Sequence, residues 1–214
     1  MNSFLKKTLL VLSGLLVGVL LAYLLFATGA FPLGNDPNPP GIGDDLANSP
    51  LLSALRVAVC IKDDDFAGLG RWIHPEKGVR FTPLSTVDTN SDRSFSSAEV
   101  ASFATDKQLY LWGVTNGDGA PIQMTPLDYV RRYVGDRDYS LAPVTSVGIV
   151  NKTGTRAENV SAVFPEPDYV FVELHIPQLD PKWEGMDWSS LKVVFEDHQG
   201  ELKVVALIHS EWNI

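Results

Sequence analysis

Length, composition and charge narrow the classes of function open to this chain. It has 214 residues, with 26 acidic and 17 basic side chains and a formal net charge of −9. All 26 acidic residues, and 15 of the 17 basic ones, lie beyond residue 35, so this part of the chain is strongly acidic. No basic stripe is present to neutralise phosphates, which excludes nucleic acid as a partner. The single cysteine, Cys60, excludes an intrachain disulfide.

The N-terminal segment predicts a membrane anchor. Lys6 and Lys7 precede an uncharged run from residue 8 to residue 33, and a helix needs about 20 apolar residues to span the hydrocarbon core. Lysines on the N-terminal side predict that the C-terminal part lies outside the cytoplasm. We therefore expect residues 1–34 to form a single-pass anchor in the cell membrane. The alternative is a signal peptide that is cleaved near Ala27, which would release a secreted protein.

Residues 35–48 are predicted to form a linker, because proline and glycine at this density prevent a regular helix or strand. Residues 49–214 follow as one extracytoplasmic domain with enough chain for a single hydrophobic core. An extracytoplasmic domain without disulfides is typical of a bacterial cell-envelope protein.

Helix-start signals dominate the first half of this domain. Ser49 before Pro50 predicts an N-cap and a helix to about residue 62, and a second, shorter helix runs to residue 73. Ser96 and Glu99 form a capping-box pattern for a helix from residue 97 to about residue 105. Thr125 predicts the cap of another helix, which runs to about residue 134 and stops at Gly135.

The last third changes to β-strand patterns. Four runs rich in β-forming residues are separated by turn residues, and they span residues 144–150, 169–176, 191–196 and 203–210. Because helices come first and strands last, the predicted fold class is α+β. We expect helices packed on one face of a curved antiparallel sheet, in a cone-like domain with a concave pocket.

Three stretches resemble the nuclear transport factor two-like superfamily. They are the helix end at residues 66–75, the segment at residues 78–81 and the closing hairpin at residues 191–209. The sequence also resembles uncharacterised bacterial proteins that are secreted or attached to the membrane. The superfamily resemblance implies a cone-shaped domain with a pocket and does not imply one activity, since such folds host enzymes and binding domains. No catalytic aspartate pair of the family can be placed on this sequence.

Two strands carry the strongest candidates for chemistry. Glu173 with His175, and His209 with Glu211, are each two residues apart, so each pair shares one face of its strand. If the two strands are neighbours, the four side chains line one cavity and offer acid–base chemistry, contacts to a polar ligand or metal ligation. The alternative is that the histidines are ordinary half-buried strand residues. Because no His-x-x-x-His spacing and no cofactor motif are present, no metal and no cofactor are predicted.

Four further side chains complete the candidate pocket. Arg80 lies on a short strand, and it is either exposed or paired with a carboxylate such as Asp187 or Glu173. Trp112 and Trp188 line the pocket in the functional interpretation and belong to the core in the alternative one.

The function that these patterns favour is a non-catalytic module that binds a small ligand or a protein of the cell envelope. The alternative is a pocket enzyme, such as a hydrolase, isomerase or dehydratase, that uses a His/Glu acid–base pair. We expect the membrane as a partner through the N-terminal helix, and a homodimer in which a second copy covers the sheet remains a third option.

Overall fold

The first two helices begin where their capping residues predict. In the computed structural model, which describes residues 48–153 and 156–212, helix α1 (Pro50–Lys62) starts after Ser49, whose side chain accepts the backbone N–H of Leu52. Helix α2 (Phe66–Trp72) is capped by Asp65, whose carboxylate accepts the N–H of Gly68 at 2.8 Å. These two helices place their apolar residues in the core.

The later helices follow their sequence patterns to different extents. Helix α3 (Ser97–Ala101) has the predicted capping box, in which Glu99 accepts the N–H of Ser96 at 2.7 Å, but turns replace its expected continuation to residue 105. Helix α4 (Pro126–Tyr129) starts at the Thr125 cap and continues as a π-helical turn over Val130–Val134. Helix α5 (Val160–Val163) was not predicted.

Eight strands form two sheets in the described part of the chain. They are β1 (Val79–Thr82), β2 (Arg93–Phe95), β3 (Tyr110–Val114), β4 (Pro121–Met124), β5 (Val144–Val147), β6 (Tyr169–Ile176), β7 (Ser189–His198) and β8 (Glu201–Glu211). Strands β3 and β4 form a separate two-stranded sheet, and the other six form the main sheet in the order β2-β1-β8-β7-β6-β5.

The main sheet confirms the predicted meander and corrects one part of the expectation. Strands β5 to β8 pair antiparallel with their sequence neighbours. Strand β1, however, pairs parallel with β8, so the sheet is mixed and not wholly antiparallel. The connection from β1 to β8 includes most of the domain, as parallel pairing requires a long crossover. The α+β class with helices on a curved sheet is confirmed.

The two faces of the main sheet are covered by different parts of the chain. We call the side that packs against α1, α2 and α4 the helix face. It carries most of the core, including Phe81, Leu174, Val193 and Leu207. The opposite side, which we call the loop face, packs a smaller apolar cluster against Val87, Val150, α5 and Phe164. Both faces are therefore buried over the centre of the sheet.

The predicted anchor, residues 1–34, and the linker up to residue 47 lie outside the described residues. Within the part of the chain that the structure describes, no helix has the length and apolar character needed to span a membrane. The described residues belong to one structural unit, Asp44–Ile214.

Candidate functional site

The four residues expected to share one cavity lie on opposite faces of the sheet. Glu173 and His175 are on β6 and His209 and Glu211 are on β8, but β7 runs between the two strands. Paired residues of neighbouring strands share a face, and the pairing passes from Glu173 through Lys192 to Ile208. His209, one residue further along β8, therefore projects from the other side. The expectation of one shared cavity is wrong because its condition, that the strands are neighbours, is not met.

On the loop face, Glu173 belongs to a buried ionic network. Lys192 is fully buried, and its Nζ lies 2.8 Å from Oε2 of Glu158 and 3.9 Å from Oε1 of Glu173. The same ammonium donates to Oγ of Ser210 at 2.8 Å. The other oxygen of Glu173 accepts the backbone N–H of Asn151 at 2.6 Å. Because buried charges are costly unless paired, this arrangement is suited to holding the loop at residue 151 and Glu158 onto the sheet.

His175 lies beside this network as a neutral side chain. It is 5% exposed, and its Nδ1 is 2.7 Å from Oγ of Ser190. Burial lowers the pKa of His175 below its usual value of 6.5, although the charge of Glu173 raises it in part. A histidine acting as a general acid or base works best with a pKa near the working pH. Its burial and lowered pKa therefore favour a structural role.

On the helix face, His209 is fully buried, and the partners of its two ring nitrogens define the orientation of the imidazole ring. Its Nδ1 is 3.1 Å from the carbonyl oxygen of Pro83, and because a carbonyl oxygen only accepts, this nitrogen carries a proton. Its Nε2 faces Oγ of Ser189 at 3.3 Å, Oδ1 of Asp136 at 3.7 Å and Oε2 of Glu211 at 3.9 Å. The predicted pair of His209 and Glu211 is therefore close in space. Ser189 and Asp136 both lie at Nε2 of His209, whereas in a Ser-His-Asp triad the serine and the aspartate contact different ring nitrogens.

Asp136 is the member of this cluster that the sequence did not indicate. Its Oδ1 accepts the hydroxyl of Tyr139 at 2.8 Å, and its Oδ2 accepts that of Ser189 at 3.0 Å. Burial raises the pKa of Asp136, but the interaction with His209 and these two hydrogen bonds outweigh burial, so the pKa is lowered overall. The residue directly follows the predicted helix stop at Gly135, and nothing in the local pattern connects it with β8.

Glu211 connects this cluster to the surface. Its Oε1 lies 2.8 Å from Nη2 of Arg132, and the Arg132 guanidinium lies over the ring of Tyr133 at 4.6 Å. These three side chains line an open groove of about 450 Å³, together with Leu84, Thr115, Asn116 and Trp212. Neither His209 nor Asp136 lines this groove, so Glu211 separates them from it.

Arg80 lies at a different and larger concavity. Its Nη1 donates to the carbonyl oxygens of Asp92 at 3.1 Å and Thr89 at 3.4 Å, and not to Asp187 or Glu173. We name the concavity the Arg80 groove. It has a volume of about 800 Å³ and lies between the loop and strand at residues 88–94 and three residues of β3, which are Leu111, Gly113 and Val114.

The remaining three candidates have structural contacts. Trp112 is fully buried, stacks on Tyr129 with ring centroids 3.8 Å apart, and donates its Nε1–H to the carbonyl of Met124. Trp188 is 1% exposed and packs near His175.

Asp187 holds a turn together. Its Oδ2 accepts the backbone N–H groups of Leu179 at 3.0 Å and Asp180 at 2.8 Å. Burial raises the pKa of Asp187, but these hydrogen bonds lower it by a larger amount, so the pKa is lowered overall. The carboxylate therefore fixes the loop before β7.

The similarities of this chain to known proteins are weak. No protein-family model matches the chain, and no curated protein matches it significantly. A DUF4783 family protein from Bacteroides ovatus is 9% identical with a TM-score of 0.34, over 74% of this chain and 94% of that one. An NTF2-like protein with a cystatin-like fold from Novosphingobium aromaticivorans is also 9% identical with a TM-score of 0.34, over 74% and 76% of the two chains. A computationally designed 17-OHP binder is 13% identical with a TM-score of 0.26, over 77% and 93%. Similarities of this size carry no argument about family or function.

Proposed function

We propose that the described domain is a non-catalytic interaction module of the bacterial cell envelope, held at the membrane by residues 1–34 and exposed outside the cytoplasm. The observation that carries this proposal is that the domain fills its own interior while it leaves apolar side chains exposed at the rim of an open groove. A partner protein is therefore favoured over an enclosed small ligand.

Aromatic side chains fill the core on the helix face of the sheet. The ring of Phe81, fully buried, has four aromatic neighbours with centroids between 5.6 and 5.9 Å away: Phe95, Phe103, Trp112 and Tyr129. Aromatic pairs at these distances attract each other and bury large areas. A ligand could enter only by displacing these rings.

Because the interior is filled, the Arg80 groove on the surface is the place where a partner could bind. Leu111 and Val114 on its β3 side are 49% and 44% exposed. The opposite side includes the outermost strand β2, which pairs only with β1 in the main sheet. Strand edges can accept an added strand, and apolar side chains beside them supply specificity. We therefore propose an extended segment of a partner protein as the occupant of the Arg80 groove.

The test compares photo-crosslinking at two exposed positions of the full chain in its native membrane. A photoreactive residue at Val114 should crosslink to one protein, which mass spectrometry identifies, and this crosslink should fall at least tenfold in a Leu111→Glu variant. The same change at Leu141, which is 75% exposed but outside the groove, is the matched control and should leave the crosslink intact. A crosslink that is absent, or equally sensitive to both substitutions, would refute the proposal, and a crosslink to a second copy of this chain would identify a homodimer.

A pocket enzyme remains the second candidate, and one observation favours it. His209 and Glu211 are close together, and Glu211 lines an open groove. This candidate requires a substrate to reach Nε2 of His209, which is fully buried in the described structure. It predicts that His209 reacts with small electrophiles in the folded protein.

A further inference from the structure

We propose that Asp136, His209 and Glu211 form a binding site for one divalent transition-metal ion of the zinc type. One ligand atom from each of the three side chains lies within 4.8 Å of the other two. The residues come from two elements, the segment after the π-helical turn and the end of β8, so an ion would join them. This proposal is independent of the proposed partner groove, and it differs from the sequence expectation of no metal because Asp136 was not part of that expectation.

The distances leave room for an ion between the ligand atoms. Nε2 of His209 is 3.7 Å from Oδ1 of Asp136 and 3.9 Å from Oε2 of Glu211, both beyond hydrogen-bond length. Around zinc, bonds of about 2.0–2.1 Å place neighbouring tetrahedral ligands about 3.4 Å apart. The two separations from His209 therefore need to shrink by only a few tenths of an ångström, while the two carboxylates lie within 4.8 Å of each other. Of the three ligands only Glu211 lines the neighbouring groove, so an ion would have to enter past this carboxylate, and a water from the groove would be the fourth ligand.

The three ligands are already oriented by other groups. Pro83 accepts the Nδ1–H of His209, and the hydroxyl of Ser189 donates to Oδ2 of Asp136, which leaves the Nε2 lone pair for a metal when the ring is neutral. Tyr139 holds the carboxylate of Asp136, and Arg132 holds that of Glu211. Metal sites commonly have such outer hydrogen bonds to their ligands, which fix orientation and raise affinity. The competing arrangement is the same cluster held by its own hydrogen bonds and by the Arg132–Glu211 ion pair, without any metal ion.

The experiment uses the full chain purified in detergent without a polyhistidine tag and stripped with a chelator. Titration with zinc chloride by calorimetry should give one equivalent. Asp136→Asn and Glu211→Gln should each weaken binding at least tenfold. Glu201→Gln, at the opposite end of β8, is the matched control and should bind as the wild type does.

A second group of titratable residues is tested in parallel, because His74 and His198 have ring centroids 4.7 Å apart with Glu196 nearby. His198→Gln should leave zinc binding unchanged. Absence of stoichiometric binding, or binding that survives both Asp136→Asn and Glu211→Gln, would overturn the proposal. Zinc binding that is lost in His198→Gln but kept in the Asp136 and Glu211 variants would overturn the proposal as well.

Circular dichroism shows whether each ligand variant is folded. If one variant is unfolded, the zinc affinity of the other tests the proposal. X-ray absorption at the zinc edge of the wild-type protein provides a readout that does not depend on variants. One nitrogen and two or three oxygens in the coordination shell are expected. A sulfur ligand from Cys60, or more than one imidazole, would overturn the assignment.

Discussion

Replacing Lys192 by methionine is the sharpest test of the buried network on the loop face. The substitution keeps the side-chain length but removes the ammonium that faces Glu158 at 2.8 Å, Glu173 at 3.9 Å and Ser210 at 2.8 Å. Removing one partner of a buried ion pair costs about 3–5 kcal/mol, because the other charge stays buried without compensation. Glu173 is fully buried, but it keeps its bond from Asn151, so we expect a loss near the lower end, about 3 kcal/mol.

Urea unfolding followed by tryptophan fluorescence measures this loss, since all five tryptophans lie between residues 72 and 212. A variant that also carries Glu158→Gln and Glu173→Gln should recover at least half of the lost stability, because no unpaired charge is then buried. Lys203→Met is the matched control. Its partner Glu201 is 70% exposed, and a surface pair of this kind contributes less than about 1 kcal/mol. A Lys192→Met loss no larger than that of Lys203→Met would refute the reasoning.

Three further predictions concern the core, a helix cap and acid stability. Phe81→Ala should lower the free energy of unfolding by about 3–5 kcal/mol, since it leaves a cavity among four aromatic rings; a loss under about 1 kcal/mol in urea unfolding would contradict the packed interior. Ser96→Ala should cost about 1 kcal/mol through the lost capping box, whereas Ser94→Ala at an exposed position of β2 should change stability by less than about 0.5 kcal/mol. Equal losses would argue against the cap. Burial lowers the pKa of both His74 and His175, so the unfolded chain binds more protons below the usual pKa of 6.5. Their contribution to stability is therefore complete above pH 6.5 and decreases as the pH falls toward their folded pKa values. The His175→Gln variant should show a smaller decrease in the free energy of unfolding between pH 7.5 and 5.5. An unchanged pH dependence in this variant would contradict the prediction.

Local signals in the sequence predicted the starts of most helices. Ser49, Ser96 and Thr125 each cap a helix in the structure, because a cap depends on residues only three positions away. The ends were less predictable. The helix after Ser96 stops at Ala101 although its sequence permits a longer helix, since tertiary contacts override weak intrinsic propensity.

Relations between strands were the part that the sequence did not contain. Alternation correctly placed Glu173 with His175, and His209 with Glu211, because it acts within one strand. It could not show that β7 separates the two pairs and places them on opposite faces, which depends on strand order and register. Asp136 illustrates the same limit, since only the folded chain brings it to His209.

Carbethoxylation of the four histidines with diethyl pyrocarbonate, located by mass spectrometry, tests the claim of a filled interior most directly. His74, His175 and His209 are no more than 5% exposed, whereas His198 is half-buried and serves as the internal reference. The account predicts that native protein is modified first at His198 and that the other three react only after unfolding in urea. Modification of native His175 or His209 as fast as His198 would reveal a pocket open to solvent, and it would contradict the assignment of this domain as a non-catalytic module with a packed core.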